Sequence, residues 1–205
     1  MKIITISREF GSGGRELGKR LADCLGFDYY DREIIEAVAQ KKGMDSTYVE
    51  KTLENQVWQS VPLTFCHSFT MLPAYTSKAS FMAEEKKVIE EIAKAGKDCI
   101  IVGRNADVLL QEYHPFNIFV CADMQAKVKR CIDRAPQGEN LSQKELEQKI
   151  KHMDKVRRES REIVSASPWG DKSAYHLIIN TTDWTMKELT PAVAEFAKCF
   201  FGRSK

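Results

Sequence analysis

The chain has 205 residues, 43% of them hydrophobic and 29% charged, with a net charge of +2. That is the make-up of a soluble globular domain with a sizeable core, and so small a charge argues against a nucleic-acid polymer as partner. No apolar run approaches the ~18 residues a membrane helix needs, and no signal peptide is visible.

The chain opens on a β-branched run, Ile3-Ile4-Thr5-Ile6, followed by Ser7-Arg8-Glu9-Phe10-Gly11-Ser12-Gly13-Gly14-Arg15-Glu16-Leu17. Leu17, Leu21, Cys24 and Leu25 then recur at helical spacing up to Gly26. A strand thus runs into a glycine-rich turn that opens a helix. Such a turn aims backbone N–H groups and the helix dipole at one anion; the same residues also fit a plain strand-to-helix turn. Against G-x-x-x-x-G-K-[ST] the match is partial. Position 14 is Gly where a Lys is expected after Gly13, and Arg15, one step on, can replace that Lys. The leading Gly is missing in both registers, since position 8 is Arg and position 9 is Glu. The magnesium-binding Ser or Thr is missing too, since positions 15 and 16 are Arg and Glu.

Phe27 to Asp31 reads as a short second strand. Ile34, Ile35, Val38 and Ala39 mark a helix that stops at Gly43, and another starts near Asp45 or Ser46. Residues 55 to 80 hold Trp58, Phe65, Phe69, Tyr75 and two prolines, lose the rhythm, and read as an insertion. Helical spacing returns from Phe81 to Gly96, and Cys99 to Val102 is a buried strand leading into Gly103-Arg104-Asn105. Phe116 to Cys121 is the next strand, and Asp123 caps a helix bearing Val128, Cys131 and Ile132. Ser142 and Glu145 form a capping box, stapled by Leu141 and Leu146, for a long polar helix to about Val164. After a loop over 165–173, Tyr175 to Thr181 is the last strand. Thr185 and Glu188, stapled by Trp184 and Leu189, open the final helix.

The six cysteines, Cys24, Cys66, Cys99, Cys121, Cys131 and Cys199, show no metal-type spacing and read mostly as small buried hydrophobes. They fit a reducing, cytoplasmic setting. The histidines, His67, His114, His152 and His176, are expected on the surface or in loops.

Strands alternating with helices predict an α/β fold, a doubly wound parallel sheet whose ligands sit beyond the carboxyl ends of the strands. Those ends are rich in arginine. Asp31-Arg32-Glu33 follows the second strand and Gly103-Arg104-Asn105 the third. Arg130 and Arg134 share one helix face, as do Arg157 and Arg161, with Arg158 beside them. Guanidinium forks suit phosphate, although the long-helix arginines also fit a solvated face partnered by Glu159 and Glu162.

This layout resembles the nucleoside monophosphate kinases, and more closely the cytidylate-kinase-like family. The resemblance spans nearly the whole chain. It rests on the segment Ile4 to Leu17, on Tyr29-Tyr30-Asp31-Arg32-Glu33-Ile34-Ile35, on Ile101-Val102-Gly103-Arg104-Asn105 and on Tyr175-His176-Leu177-Ile178-Ile179-Asn180-Thr181. It implies a P-loop kinase fold with five parallel strands in the order 2-3-1-4-5. It further implies one domain over 1–205, with an acceptor-binding insertion at about 45–80 and a helical lid at about 135–172. ATP is then expected at the first loop, on Gly11, Ser12, Gly13, Gly14, Arg15 and Glu16, with Arg130 and Arg134 nearby. Asp31, Arg32, Gly103, Arg104 and Asn105 are expected to bind the acceptor. Arg157, Arg158 and Arg161, with Arg15 in place of the missing Lys, are expected to act on the transferring phosphate. Mg2+ is expected mainly on phosphate oxygens and water, near Glu16 or Asp31. The chain departs from the family's kinases at Gly14-Arg15-Glu16, at Arg32-Glu33-Ile34-Ile35 and at Asn105, which leaves the acceptor open.

The expected function is ATP-dependent phosphoryl transfer to a small phosphorylated acceptor such as a nucleoside monophosphate. The alternative is a non-catalytic nucleotide- or anion-binding module on the same fold, motivated by the lost Lys and Ser/Thr. A dinucleotide-dependent oxidoreductase fits poorly, because position 16 is Glu where G-x-G-x-x-G needs its third Gly. A homodimer stays open, since residues 55 to 80 can shape an acceptor pocket or a subunit contact. The transfer reading expects Arg104, Arg157 and Arg161 to converge on one cleft, with the amides of Gly11 to Arg15 left open to an anion.

Overall fold

The computed structural model describes residues 1–31, 78–135 and 141–203. The expectations for Arg32, Cys66, His67, the two helices after Asp31 and nearly all of the insertion lie outside the described residues.

The strand at the centre of the sheet is β1 (Ile3–Arg8), flanked by β3 (Cys99–Val102) and β4 (Phe116–Cys121). Outside them lie β2 (Asp28–Tyr30) and β5 (Leu177–Asn180), giving a five-stranded sheet in the order β2-β3-β1-β4-β5 with every pair parallel. This is the expected order. The strands are near-continuous apolar runs because a parallel sheet is covered on both faces. On one face Ile4, Ile6, Ile100, Val102, Ile118 and Val120 meet α1 (Gly14–Leu25) through Leu17 and Leu21, and α6 (Met186–Arg203) through Val193 and Ala197. On the other, Ile3, Cys99 and Ile101 meet α2 (Lys78–Lys94) through Val88 and Ile89, and α3 (Ala106–Leu109) through Ala106. Each fully buried aliphatic side chain contributes about 1.5–3 kcal/mol. Gly18 lets α1 lie close to the sheet, since a Cβ there would fall 2.9 Å from Val102 Cγ2.

A third cluster sits over the loop after β1. There α4 (Met124–Asp133) and α5 (Gln143–Val164) pack Val128, Cys131, Leu146, Ile150 and Met153 against Phe10. Asp123 accepts from Ala126 N–H at 2.7 Å, and the Ser142–Glu145 and Thr185–Glu188 boxes both form.

Several boundaries differ from the sequence reading. The second strand spares Phe27 and Asp31, and the fifth starts at Leu177, after a 3-10 turn over Lys172–Ala174. Helix α2 begins at Lys78 rather than Phe81. Two cysteines also differ. Cys99 and Cys131 are buried as expected, but Cys24 and Cys199 are exposed, because they stand on the outer faces of α1 and α6. His114, His152 and His176 are exposed. No described helix is long and apolar enough to cross a membrane.

Candidate functional site

The loop from Glu9 to Gly13 is held from behind. Glu9 N–H donates to Val120 O at 2.9 Å and Phe10 N–H to Asp154 Oδ1 at 2.6 Å. Ser12 is fully buried, its hydroxyl donates to Glu9 O at 2.8 Å, and its carbonyl accepts from Thr181 Oγ1 at 2.7 Å. Gly11 and Gly13 take φ of +77° and +85°, and a Cβ on Gly13 would lie 2.8 Å from Met186 Sδ. Only glycine makes this turn without strain. The N–H groups of Gly11, Gly13, Gly14 and Glu16 donate to no other described residue. They lie where the dipole of α1 favours an anion.

Four arginines from distant parts of the chain gather on the β3 side of this loop. Arg15 Nε and Nη2 lie 2.9 and 2.8 Å from Oδ2 of the buried Asp31. Arg104 pairs with the buried Glu85. Arg157 Nη1 donates to Arg8 O at 2.8 Å, lies 3.5 Å from Asp154 Oδ1, and its guanidinium stands 5.6 Å from the Phe10 ring centre. Arg8 lies among them. Burial first, then Arg157, and also Arg104, lower its pKa from 12.5 to about 9, with Tyr29 and Asp31 acting the other way. It is still a cation at neutral pH.

The turn after β3 is unusual. Gly103, Arg104 and Asn105 take φ of +82°, +58° and +53° in succession. For each non-glycine residue a left-handed backbone costs about 1–2 kcal/mol. Asn105 Nδ2 lies 3.2 Å from both Ser160 O and Ser160 Oγ, which ties the turn to α5. Arg104 and Asn105 line a cavity of about 260 Å3 together with Ala83, Leu109, Ser160 and Ile163.

The remaining arginines do other work. Arg161 is buried and donates to the buried Asp107, while Nε donates to Ser167 O at 3.2 Å. Arg158 lies 5.9 Å from the Trp169 ring centre. Thus α5 puts Arg157 on the loop, whereas Arg161 is spent on Asp107 and does not join Arg104 and Arg157. On the β4 side, Arg130 donates to Thr181 O and to Trp184 O at 3.1 Å, holding the β5–α6 connection. Arg134 pairs with Glu16, which also accepts from Arg20 at 2.7 Å.

Glu16 and Asp31, the carboxylates considered for magnesium, are therefore both engaged by guanidinium groups. As placed they do not fit a divalent cation.

Three residues at the loop escaped the sequence reading. In the sequence Arg8 is only a failed motif position. Asp154 and Lys127 are buried, and Lys127 Nζ lies 3.0 Å from Glu9 Oε2 and 3.6 Å from Asp154 Oδ2. Nothing local in the sequence marks that triad, since its members come from β1, α4 and α5.

A parallel sheet in this order, with a glycine turn leading from its central strand into a helix, is the fold of the P-loop kinases. Within that class the chain belongs to the cytidylate kinase-like family, which it matches over residues 3–183. Among solved structures it is similar to an uncharacterized protein from Eubacterium ventriosum (23% identity, 97% of this chain and 99% of that one, TM-score 0.71). It is also similar in fold to shikimate kinase from Bacteroides thetaiotaomicron (14% identity, 96% and 98% coverage, TM-score 0.55). A third similar structure is shikimate kinase from Acinetobacter baumannii in complex with shikimate (15% identity, 100% and 96% coverage, TM-score 0.53). No curated protein matches the sequence.

Proposed function

We propose that this protein transfers a phosphoryl group from ATP to a small phosphorylated acceptor, with a nucleoside monophosphate as the first class to test. One observation carries the reading. Arg15, Arg104 and Arg157, from α1, the turn after β3 and α5, stand with Arg8 around the open amides of the loop at the carboxyl end of β1. Arg15, Arg104 and Arg157 each face a carboxylate, whereas Arg8 pairs with none among the described residues, and a cation left uncompensated in a partly desolvated place is costly unless an anion joins it.

In this reading the amides of Gly11, Gly13, Gly14 and Glu16 hold the donor's phosphates. Phosphoryl transfer asks the protein for position and positive charge rather than covalent chemistry. Arg157 supplies charge beside the loop, and α5 acts as the lid that carries it. Arg104 and Asn105, in the wall of their cavity, hold the acceptor. Asp31 orients Arg15 rather than touching substrate. The family, the sheet order and the fold shared with shikimate kinases support a kinase-like nucleotide-binding function, and the acceptor's identity is part of the proposal.

A second reading, binding without turnover, is favoured by one feature. In the register that puts Arg15 at the lysine position, Glu16 stands where a phosphate loop carries Ser or Thr, and it is tied to Arg134 and Arg20. A coupled assay with ATP and a panel of nucleoside monophosphates and shikimate separates the two, with calorimetry run in parallel. Transfer to one acceptor, slowed strongly by Arg157→Ala, upholds the kinase. Tight ATP binding with no transfer to any acceptor upholds the binding module.

A further inference from the structure

Two positions depart from the phosphate-loop pattern in opposite senses. Where the pattern has its leading Gly this chain has Arg8, and where it has its Lys this chain has Gly14. In the structure the two residues share one space. A Cβ on Gly14 would lie 2.6 Å from Arg8 Cβ and 3.0 Å from Arg8 Cγ, so the stem of Arg8 runs where a side chain at 14 would begin. Further out, a Cβ on Gly103 would fall on Arg8 Nη1 and lie 2.9 Å from Cζ. The Arg8 side chain therefore crosses from the loop to the turn after β3, bounded by a glycine at each end.

Its company is mostly cationic. Arg157 and Arg104 both press on it electrostatically. Arg15, Arg104, Arg157 and Arg161 each face a carboxylate: Asp31, Glu85, Asp154 and Asp107. Arg8 makes no ion pair and no side-chain hydrogen bond with any described residue. A guanidinium has five N–H donors in a plane and is always charged under ordinary conditions. With no acceptor bonded to it among the described residues and two other cations beside it, Asp31 opposing them only at a distance, it asks for an oxyanion with several oxygens.

We propose that Arg8 and Gly14 have exchanged parts, so that Arg8 supplies from the end of β1 the cation that a phosphate-loop lysine supplies from the start of the helix. Its ligand is a phosphate group seated between the Gly11–Glu16 loop and the Gly103–Asn105 turn. This rests on the kinase reading given above. The phosphate comes from the donor's terminal group or from the acceptor, and the test separates them.

The experiment is calorimetric titration of the full chain with ATP, inorganic tripolyphosphate and a set of nucleoside monophosphates. The variants are Arg8→Met, Arg8→Gln and the double variant Arg8→Gly with Gly14→Lys, each checked by its melting curve. Arg8→Met keeps a stem against Gly14 and serves if Arg8→Gln does not fold. Loss of charge should weaken phosphate binding about tenfold or more. The double variant, which rebuilds the usual pattern, should recover most of that loss, a rescue that a merely structural Arg8 would not give. Weakening confined to ATP and tripolyphosphate assigns the donor's phosphate, and weakening confined to monophosphates assigns the acceptor's. If folded Arg8→Met and Arg8→Gln bind every phosphate as the parent does, the exchange is wrong while the kinase reading stands. If the parent itself binds none of them, both fall.

Discussion

Arg161 donates to Asp107 with both side chains buried, joining α5 to α3 across 54 residues of sequence. Arg157 is one turn away on the same helix, yet it is partly exposed and reaches the carbonyl of Arg8. The two arginines therefore separate stability from function. Removing one partner of a buried ion pair costs about 3–5 kcal/mol, because the other charge is left uncompensated. Arg161→Ala should lower the unfolding free energy by that order, seen as an earlier denaturation midpoint, and Asp107→Ala likewise. Arg157→Ala should move the midpoint little and depress phosphate affinity or turnover. Equal melting losses for Arg157→Ala and Arg161→Ala would defeat this division.

Gly103 carries a separate prediction. At φ +82° any side chain is strained, and its Cβ would fall on the Arg8 guanidinium. Gly103→Ala should cost about 1–2 kcal/mol in stability. It should also push Arg8 aside and weaken phosphate binding. In the Arg8→Met background the same change should cost stability but no further affinity. A second, additive loss of affinity there would show that Gly103 acts on the ligand directly.

The capping boxes predict how stability responds to acid. Ser142 holds the Glu145 carboxyl, and Thr185 the Glu188 carboxyl, below the usual 4.5 by hydrogen bonding. A lowered folded-state pKa gives stability that is present above 4.5 and is lost as pH falls through the lower folded value. Melting temperatures of Glu145→Gln and Glu188→Gln should lie below the parent's at neutral pH and converge on it in acid. A gap that persists unchanged into acid would assign the effect to something other than the carboxylates.

The same boxes show why much of this fold was legible. Ser142-Gln143-Lys144-Glu145 is a local signal, and so is an apolar run such as Cys99 to Val102, so strands and helix starts could be read from the chain, while the sheet order came only with the family resemblance. The site was less legible because its chemistry is pairwise and distant. Nothing near Arg161 announces Asp107, and nothing near Phe10 announces Asp154. Helical spacing put Arg157 and Arg161 on one face correctly, but spacing does not tell which of two neighbours finds a buried carboxylate. Arg8 was hidden for another reason. Matching a motif position by position counts Arg8 and Gly14 as two failures, whereas in space one side chain fills the gap left by the other.

Asp154 gives the last prediction, because it links α5 to the loop. Its Oδ1 accepts from Phe10 N–H at 2.6 Å and lies 3.5 Å from Arg157 Nη1, and its Oδ2 lies 3.6 Å from Lys127 Nζ. Burial raises its pKa above 3.8; Phe10 N–H, Arg157 and Lys127 oppose that rise, and Glu9 adds to it. A raised folded-state pKa means that its contribution is full below 3.8 and is lost as pH rises through the folded value, the reverse of Glu145. Asp154→Asn keeps an acceptor for Phe10 but carries no charge. Its stability should therefore improve relative to the parent as pH rises from acid toward neutral. Asp154→Ala leaves the Phe10 N–H buried without an acceptor, which costs about 1–3 kcal/mol. Both changes should weaken phosphate binding, since Arg157 loses the carboxylate beside it. Denaturation of parent, Asn and Ala variants across the acid range decides the matter. If the Asn variant instead loses ground to the parent as pH rises, the charged form of Asp154 is the stabilising one and the raised pKa is wrong.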